Sequence, residues 1–212
     1  MKYTLLLFIA FIFSSTHCTK QVVLSLNNHP EQIIGLQPLD NFTKPETDSI
    51  IKALSNFFGK RVMLLKPISI PENYFNSSIN QYTADSILLL LSKQLNDSLI
   101  EIVGLTHQPI FTIKKTGALP YYDKNLFGFG YQPGNTSIVS DFKFRTTNNF
   151  YFNRRMRNVA IHEIGHNLGL SHCPDDKCIM SKNNGDILTL DNCSDDYCSA
   201  CRKKLRWPAL LH

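Results

Sequence analysis

The sequence predicts an α+β fold, a mixed, twisted sheet with helices packed on it, and after these a small irregular lobe. Three observations predict it. Segments of strand and helix character alternate through the first two-thirds of the chain. A long helical stretch without proline, Phe150 to Leu168, stops at Gly169. The chain beyond Gly169 is rich in cysteine and turn residues rather than apolar runs. At 212 residues, 43% hydrophobic and 18% charged, the chain has enough apolar material for one sizeable core and is not disordered. A single domain over 19–212 is expected, with an upper lobe to about 169 and a lower lobe from about 170.

Residues 1–18, MKYTLLLFIAFIFSSTHC, carry Lys2, an apolar run from Leu5 to Phe13 and small polar residues leading to Cys18. That run is too short to span a bilayer and fits a secretory signal peptide, with a buried first strand or helix as the alternative. Cys18 resembles the lipidated cysteine of a bacterial lipoprotein signal, which would tether the protein to a membrane. Ser15, Thr16 and His17 depart from that pattern, so simple secretion is the other reading. The expected location is secreted or periplasmic, or lipid-anchored at the bacterial cell envelope. Gln21 to Leu26 alternates as a strand. Thr43-Lys44-Pro45-Glu46 has capping-box spacing and opens an amphipathic helix to about Phe58. Arg61 to Ile70 reads as a strand, Thr83 to Leu95 as an apolar helix, and Leu99 to Leu105 and Pro109 to Ile113 as buried strands. Leu126 to Tyr131 and Thr136 to Phe144 are strand candidates around a Pro133-Gly134 turn. The remainder after Gly169 reads as loop until about Asp195.

The formal charge of +5 is modest. The basic clusters at 154–157 and 202–206 are short and read as solvated helix faces, so no nucleic-acid partner is expected.

The chemistry concentrates in HEIGHNLGLSHCPDDKCIM, residues 162 to 180. Residues four apart share a helix face, so His162 and His166 can aim ring nitrogens at one metal ion. Glu163 projects beside that face, placed to take a proton from a metal-activated water without being a ligand. A third imidazole requires the chain to turn back. Gly169 can adopt the left-handed conformation that allows it, and His172 then completes three nitrogen ligands. Three protein ligands leave one position open, which points to catalytic zinc and amide hydrolysis with Glu163 as general base. The bland alternative is a helix whose histidines are surface or satisfied core residues.

At these positions the sequence resembles the metzincin zinc-protease signature, His162-Glu163-x-x-His166-x-x-Gly169-x-x-His172. It resembles the archaemetzincin branch closely. There the third histidine is followed directly by a cysteine, then after four residues by a second cysteine, and one residue later by a methionine. A C-x-x-C pair comes seventeen residues further on. Here those positions are Cys173, Cys178, Met180, Cys198 and Cys201. The resemblance implies a metzincin-like zincin fold with an active-site helix and a zinc-stabilised lower lobe. It implies two zinc ions per chain, one catalytic and one structural, the latter held by Cys173, Cys178, Cys198 and Cys201. Met180 would be the Met-turn residue, an apolar floor under the histidines and not a ligand. A structural metal would supply folding free energy that so short a lobe lacks. The residues themselves leave disulfides open, in whole or part, because secretion favours oxidation. Cys193 is left over.

The expected activity is zinc-dependent peptide hydrolysis on a peptide or protein substrate by a monomer. Metzincins as a family bind an extended peptide along an edge strand, which either Gly128 to Tyr131 or Thr136 to Phe144 could supply. N-terminal trimming and internal cleavage both stay open. His107 is expected to be structural or to line the rim. Two rival readings are a zinc-ribbon-like binding module built on the cysteines and an inactive metzincin homologue. The complete set of Glu163 and three histidines argues against both.

Overall fold

The structure, a computed structural model, describes residues 31–116 and 119–205, with backbone alone at 115, 116 and 119. The segment read as a signal, Cys18 and the strand expected at Gln21–Leu26 lie outside the described residues. The chain starts instead with strand β1 (Ile33–Pro38), then helix α1 (Lys44–Phe58) and strand β2 (Arg61–Leu64). Helix α1 begins where its capping box places it: the Glu46 carboxylate accepts from the Thr43 amide at 2.7 Å and its hydroxyl at 2.9 Å. The strand expected over Arg61–Ile70 ends at Leu64. Beyond it the backbone stays bonded to β1 only irregularly, through Leu65 N to Leu36 O and Ile68 N to Pro38 O, because Pro67 cannot donate.

A short 3-10 turn (Glu72–Tyr74) leads through β3 (Phe75–Asn76) and β4 (Gln81–Thr83) into α2 (Ala84–Ser92). Next come β5 (Leu99–Thr106), the hairpin β6 (Ile110–Thr116) and β7 (Leu119–Asp123), then β8 (Gly128–Gly130), β9 (Thr136–Ser140) and the long helix α3 (Asn149–Asn167). Strand β7 had no expectation attached to it. Two short helices, α4 (Ile187–Asn192) and α5 (Ser199–Lys204), close the described chain. The loop expected there is therefore interrupted by α4, whose N-terminal amides Leu188 N and Thr189 N are capped by the Asp186 carboxylate.

The main sheet has the order β2-β1-β5-β9-β8. Its first four strands are parallel, and β8 joins antiparallel at the edge. A second sheet runs β3-β4-β6-β7. Alternation along each central strand feeds two cores. Val103, Leu105 and Val139 pack with Ile50 and Leu54 of α1 and Met156 and Ile164 of α3. Ile102 and Ile138, one residue away in register, face Ile87, Leu88 and Leu91 of α2. Each such fully buried aliphatic side chain contributes about 1.5–3 kcal/mol. Helix α3 is thus enclosed, with every residue from Asn158 to Asn167 buried. The segment after Gly169 joins the same core through Leu170, Ile179, Met180, Leu190 and Tyr197.

The basic run at 154–157 is not a solvated face. Arg154 donates to Asp191 O and Cys193 O at the C-terminal end of α4, Arg155 grips the Asp191 carboxylate, and Arg157 reaches Asp195 O. Cations meet the exposed carbonyl end of a helix there, and α3 is clamped to the segment that comes after it.

One buried acid ties the sheet to the end of α3. Glu101 of β5 accepts from Asn167 Nδ2 at 2.6 Å, and burial holds its carboxyl well above the usual range near 4.5. An acid with a raised folded-state pKa keeps its proton after the unfolded chain has lost it. Stability therefore falls as pH rises above the unfolded value, by at most about 1.4 kcal/mol per pH unit. Glu101→Gln keeps the acceptor for Asn167 and has no proton to lose. Its melting temperature should vary less between about pH 5 and about pH 8 than that of the wild type, and should exceed it at the upper end. Parallel curves would show that Glu101 ionises in the folded protein.

Candidate active site

Helix α3 starts at Asn148, whose side-chain oxygen accepts from Phe150 N and Tyr151 N, and runs straight to the histidines. His162 Nδ1 lies 2.7 Å from Ile179 O and His166 Nδ1 lies 2.8 Å from Leu170 O. A carbonyl only accepts, so each Nδ1 carries the proton and each Nε2 presents a lone pair. Those two Nε2 atoms are 3.1 Å apart. His172 joins them, and one ligand atom from each of the three lies within 4.8 Å of the others. Lone pairs facing at that distance repel unless a cation lies between them, so the donor set fits a divalent metal that takes nitrogen, such as zinc. Burial and the neighbouring His166 depress His162 to a pKa of about 3 and His172 to about 4, and burial lowers His166. All three imidazoles are neutral at physiological pH, as metal ligation requires.

Glu163 lines the same cleft as the three imidazoles. It is buried beside edge strand β8, against Gly128 and within reach of the Gly130 amide. Burial pushes its carboxyl up to about 8. The three histidines and Glu163 open on a cleft of about 430 Å³, whose walls include Phe129 of β8, Lys114, Tyr121 and Asp123 of the β6–β7 hairpin, and Lys182. Of the two strands that could have formed the edge, β9 lies inside the sheet and β8 is the edge along the cleft. Tyr131, just past β8, donates to Asp85 at 2.9 Å, and Thr112 of β6 donates to the same carboxylate at 2.7 Å, which fixes both walls to α2.

The return of the chain to His172 is built as the spacing implies. Gly169 takes a φ of 92°, a left-handed turn open to glycine. Gln132 then holds the loop: its amide donates to Gly169 O at 3.1 Å and to Ser171 Oγ at 2.7 Å. Met180 is fully buried beneath α3. A Cβ at Gly165 would sit 2.5 Å from Met180 Sδ and 3.0 Å from the Tyr197 hydroxyl, so only glycine fits between the histidines there. Cys173 N donates to Met180 O at 2.8 Å, coupling the third histidine to this floor.

Cys173, Cys178, Cys198 and Cys201 converge beside it, their sulfurs all within 4.8 Å of one another. The Cys173–Cys198 and Cys178–Cys201 separations are 3.7 and 3.8 Å. Zinc with sulfurs at about 2.3 Å spaces them about 3.8 Å apart at tetrahedral corners. None of the five described cysteines is in a disulfide. Cys178 Sγ also accepts from Met180 N and Cys198 N, though burial still raises its thiol, while the Cys201 amide brings the Cys198 thiol down to about 7, favouring a thiolate there. Cys193 stands apart, buried, its thiol donating to Leu190 O at 3.1 Å.

The structure thus brings together every residue proposed for the two clusters. It places His107 elsewhere, outside the cleft, with Nδ1 3.0 Å from Asp141 and its ring on Phe42. Reasoning from sequence missed Gln132, Lys114, Lys182 and the packing role of Gly165. Of these only Gly165, a glycine inside a helix, carried a local signal.

The chain is similar to known proteins over most of its length. The model of "Peptidase family M54" matches residues 46–207. The archaemetzincin of Methanocaldococcus jannaschii is 31% identical over 176 residues, spanning 82% of this chain and 92% of that protein. The archaemetzincin of Haloquadratum walsbyi is 25% identical over 183 residues, spanning 82% and 99%. The crystal structure of archaemetzincin from Archaeoglobus fulgidus, complexed with malonate, is similar with a TM-score of 0.67 at 25% identity, covering 82% of this chain and 100% of that one. A zinc-dependent peptidase from Methanocorpusculum labreanum shares the fold with a TM-score of 0.63 at 23% identity, covering 82% and 100%.

Proposed function

The chain belongs to peptidase family M54, the archaemetzincin zinc metallopeptidases, and from that premise we propose that it hydrolyses peptide bonds with Glu163 as general base. His162, His166 and His172 would hold the catalytic zinc, and Cys173, Cys178, Cys198 and Cys201 a second, structural zinc. Zinc at the histidines supplies Lewis-acid activation of water and of the scissile carbonyl. Everything else falls to the protein. Strand β8 is the edge of the main sheet, where an extended peptide would bind as an added strand with its scissile carbonyl over the histidines. Glu163, held beside that edge, takes the proton of the attacking water and passes it to the leaving amine. A carboxyl group tuned towards neutrality by burial is suited to doing both. Met180 and Tyr197 close the floor and keep the imidazoles in place.

The observation that carries this reading is the convergence of three neutral imidazoles, lone pairs inward, with a buried carboxyl group on the cleft's edge strand. Digestion of a peptide library with and without a chelator tests it. Cleavage should vanish with the chelator and return on adding zinc, and the positions cut will separate N-terminal trimming from internal cleavage. Chelator-resistant cleavage would refute it.

A further inference from the structure

The walls of the cleft carry unequal charge. The β6–β7 hairpin presents Lys114 and Asp123, which pair with each other. Lys182, two residues past Met180, is exposed and lines the same cleft. Among the described residues no carboxylate pairs with Lys182. Both lysines line the cleft together with His172. Two cations therefore share the cleft with the third imidazole, and Asp123 balances only one of them. Glu163 is the remaining acid, but it is buried against β8 and committed to the proton transfer. An anion beside His172 would meet Lys182 without displacing any partner, and could draw Lys114 away from Asp123.

Resting on the peptidase reading above, we propose that Lys182, with Lys114 of the same cleft, forms a subsite for a substrate carboxylate next to the scissile bond. The enzyme then prefers acidic peptides. The carboxylate is either an Asp or Glu side chain or the free C-terminus of a short peptide, since each presents the same group. An exposed lysine–carboxylate pair favours binding by up to about fivefold, and a cleft with low-dielectric walls strengthens it. Neither the helix motif nor the zinc ligands specify this preference. It comes from the residue after Ser181 and from the hairpin wall.

Fluorogenic peptides that differ only by Glu or Gln at each position flanking the cleaved bond, each with a free or amidated C-terminus, test it. With wild-type zinc-loaded enzyme, kcat/KM should favour either Glu over Gln at one position or the free over the amidated C-terminus, by about fivefold or more at low salt, and salt should shrink the ratio. In Lys182→Gln the ratio should fall to about one, and in Lys182→Glu a Lys peptide should become the better substrate. A preference that follows Glu and survives amidation assigns the subsite to a side chain. One abolished by amidation alone assigns it to the C-terminus. Equal kcat/KM for all peptides, or a preference unchanged in both variants, overturns the proposal. If the wild type cleaves none of them, the peptidase reading has failed instead. Fluorescence anisotropy of the same labelled peptides then decides, and equal affinity for Glu and Gln peptides overturns the subsite.

Discussion

Glu163→Gln is expected to leave the protein folded and metal-loaded while lowering kcat by about a hundred- to ten-thousand-fold. The substitution changes one atom of a side chain that has no spare room. A Cβ placed on Gly128 would already lie 2.7 Å from Glu163 Cγ and 2.8 Å from its Oε1. Glutamine keeps that shape but cannot accept and return a proton as a carboxylate does. The stability effect has the opposite sign. Burial raises the Glu163 pKa to about 8, so the folded, metal-free protein disfavours its charge, and an amide removes that penalty. The melting temperature of the variant should equal or exceed that of the wild type. Metal content, melting temperature and kcat on one peptide decide the matter together. Undiminished kcat would mean another group takes the proton, and lost metal would make Glu163 a structural residue.

Cys178→Ala is expected to have the largest effect on stability, more than about 4 kcal/mol, together with the loss of one metal ion. Cys178 is almost wholly buried, and its sulfur lies 3.8 Å from that of Cys201. It also accepts from the backbone of Met180 and of Cys198, so it joins the floor under the histidines to the second pair of cysteines. Losing it should loosen that floor. Through the Cys173–Met180 backbone bond, His172 should then be held less firmly, and hydrolysis should fall as well. Cys193→Ala is the control, because Cys193 is equally a buried cysteine near α4 but lies outside the sulfur cluster. That variant should keep two metal ions and lose about 1–3 kcal/mol. A Cys178→Ala protein that kept both ions, or melted with the control, would rule out a four-sulfur zinc site.

Local chemistry made some of this legible beforehand. The capping box at Thr43 fixed the start of α1, and the i, i+4 spacing with Gly169 fixed the approach of three histidines. Strand β1, by contrast, carries Gly35, Gln37 and Pro38 and has no strand-like pattern of its own. It is a strand because β2 and β5 hydrogen-bond it from both sides, and Gln37 Nε2 donates to Lys66 O at 2.8 Å. Helix α3 shows little amphipathic pattern because sheet, α1 and the downstream segment bury it from several directions. The arginines at 154–157 looked like a surface run because their partners, Asp191 to Asp195, lie more than thirty residues downstream.

The sequence by itself determined the histidine cluster, since helix pitch and one glycine act within a few residues of one another, whereas the four-cysteine cluster was only implied by the family resemblance. Tertiary structure alone decided that β8 rather than β9 forms the edge beside Glu163, that Gln132 secures the loop carrying His172, and that Lys114 and Lys182 line one cleft. Those relations join residues far apart in the chain through sheet order and helix packing, and such contacts leave no period or spacing to read.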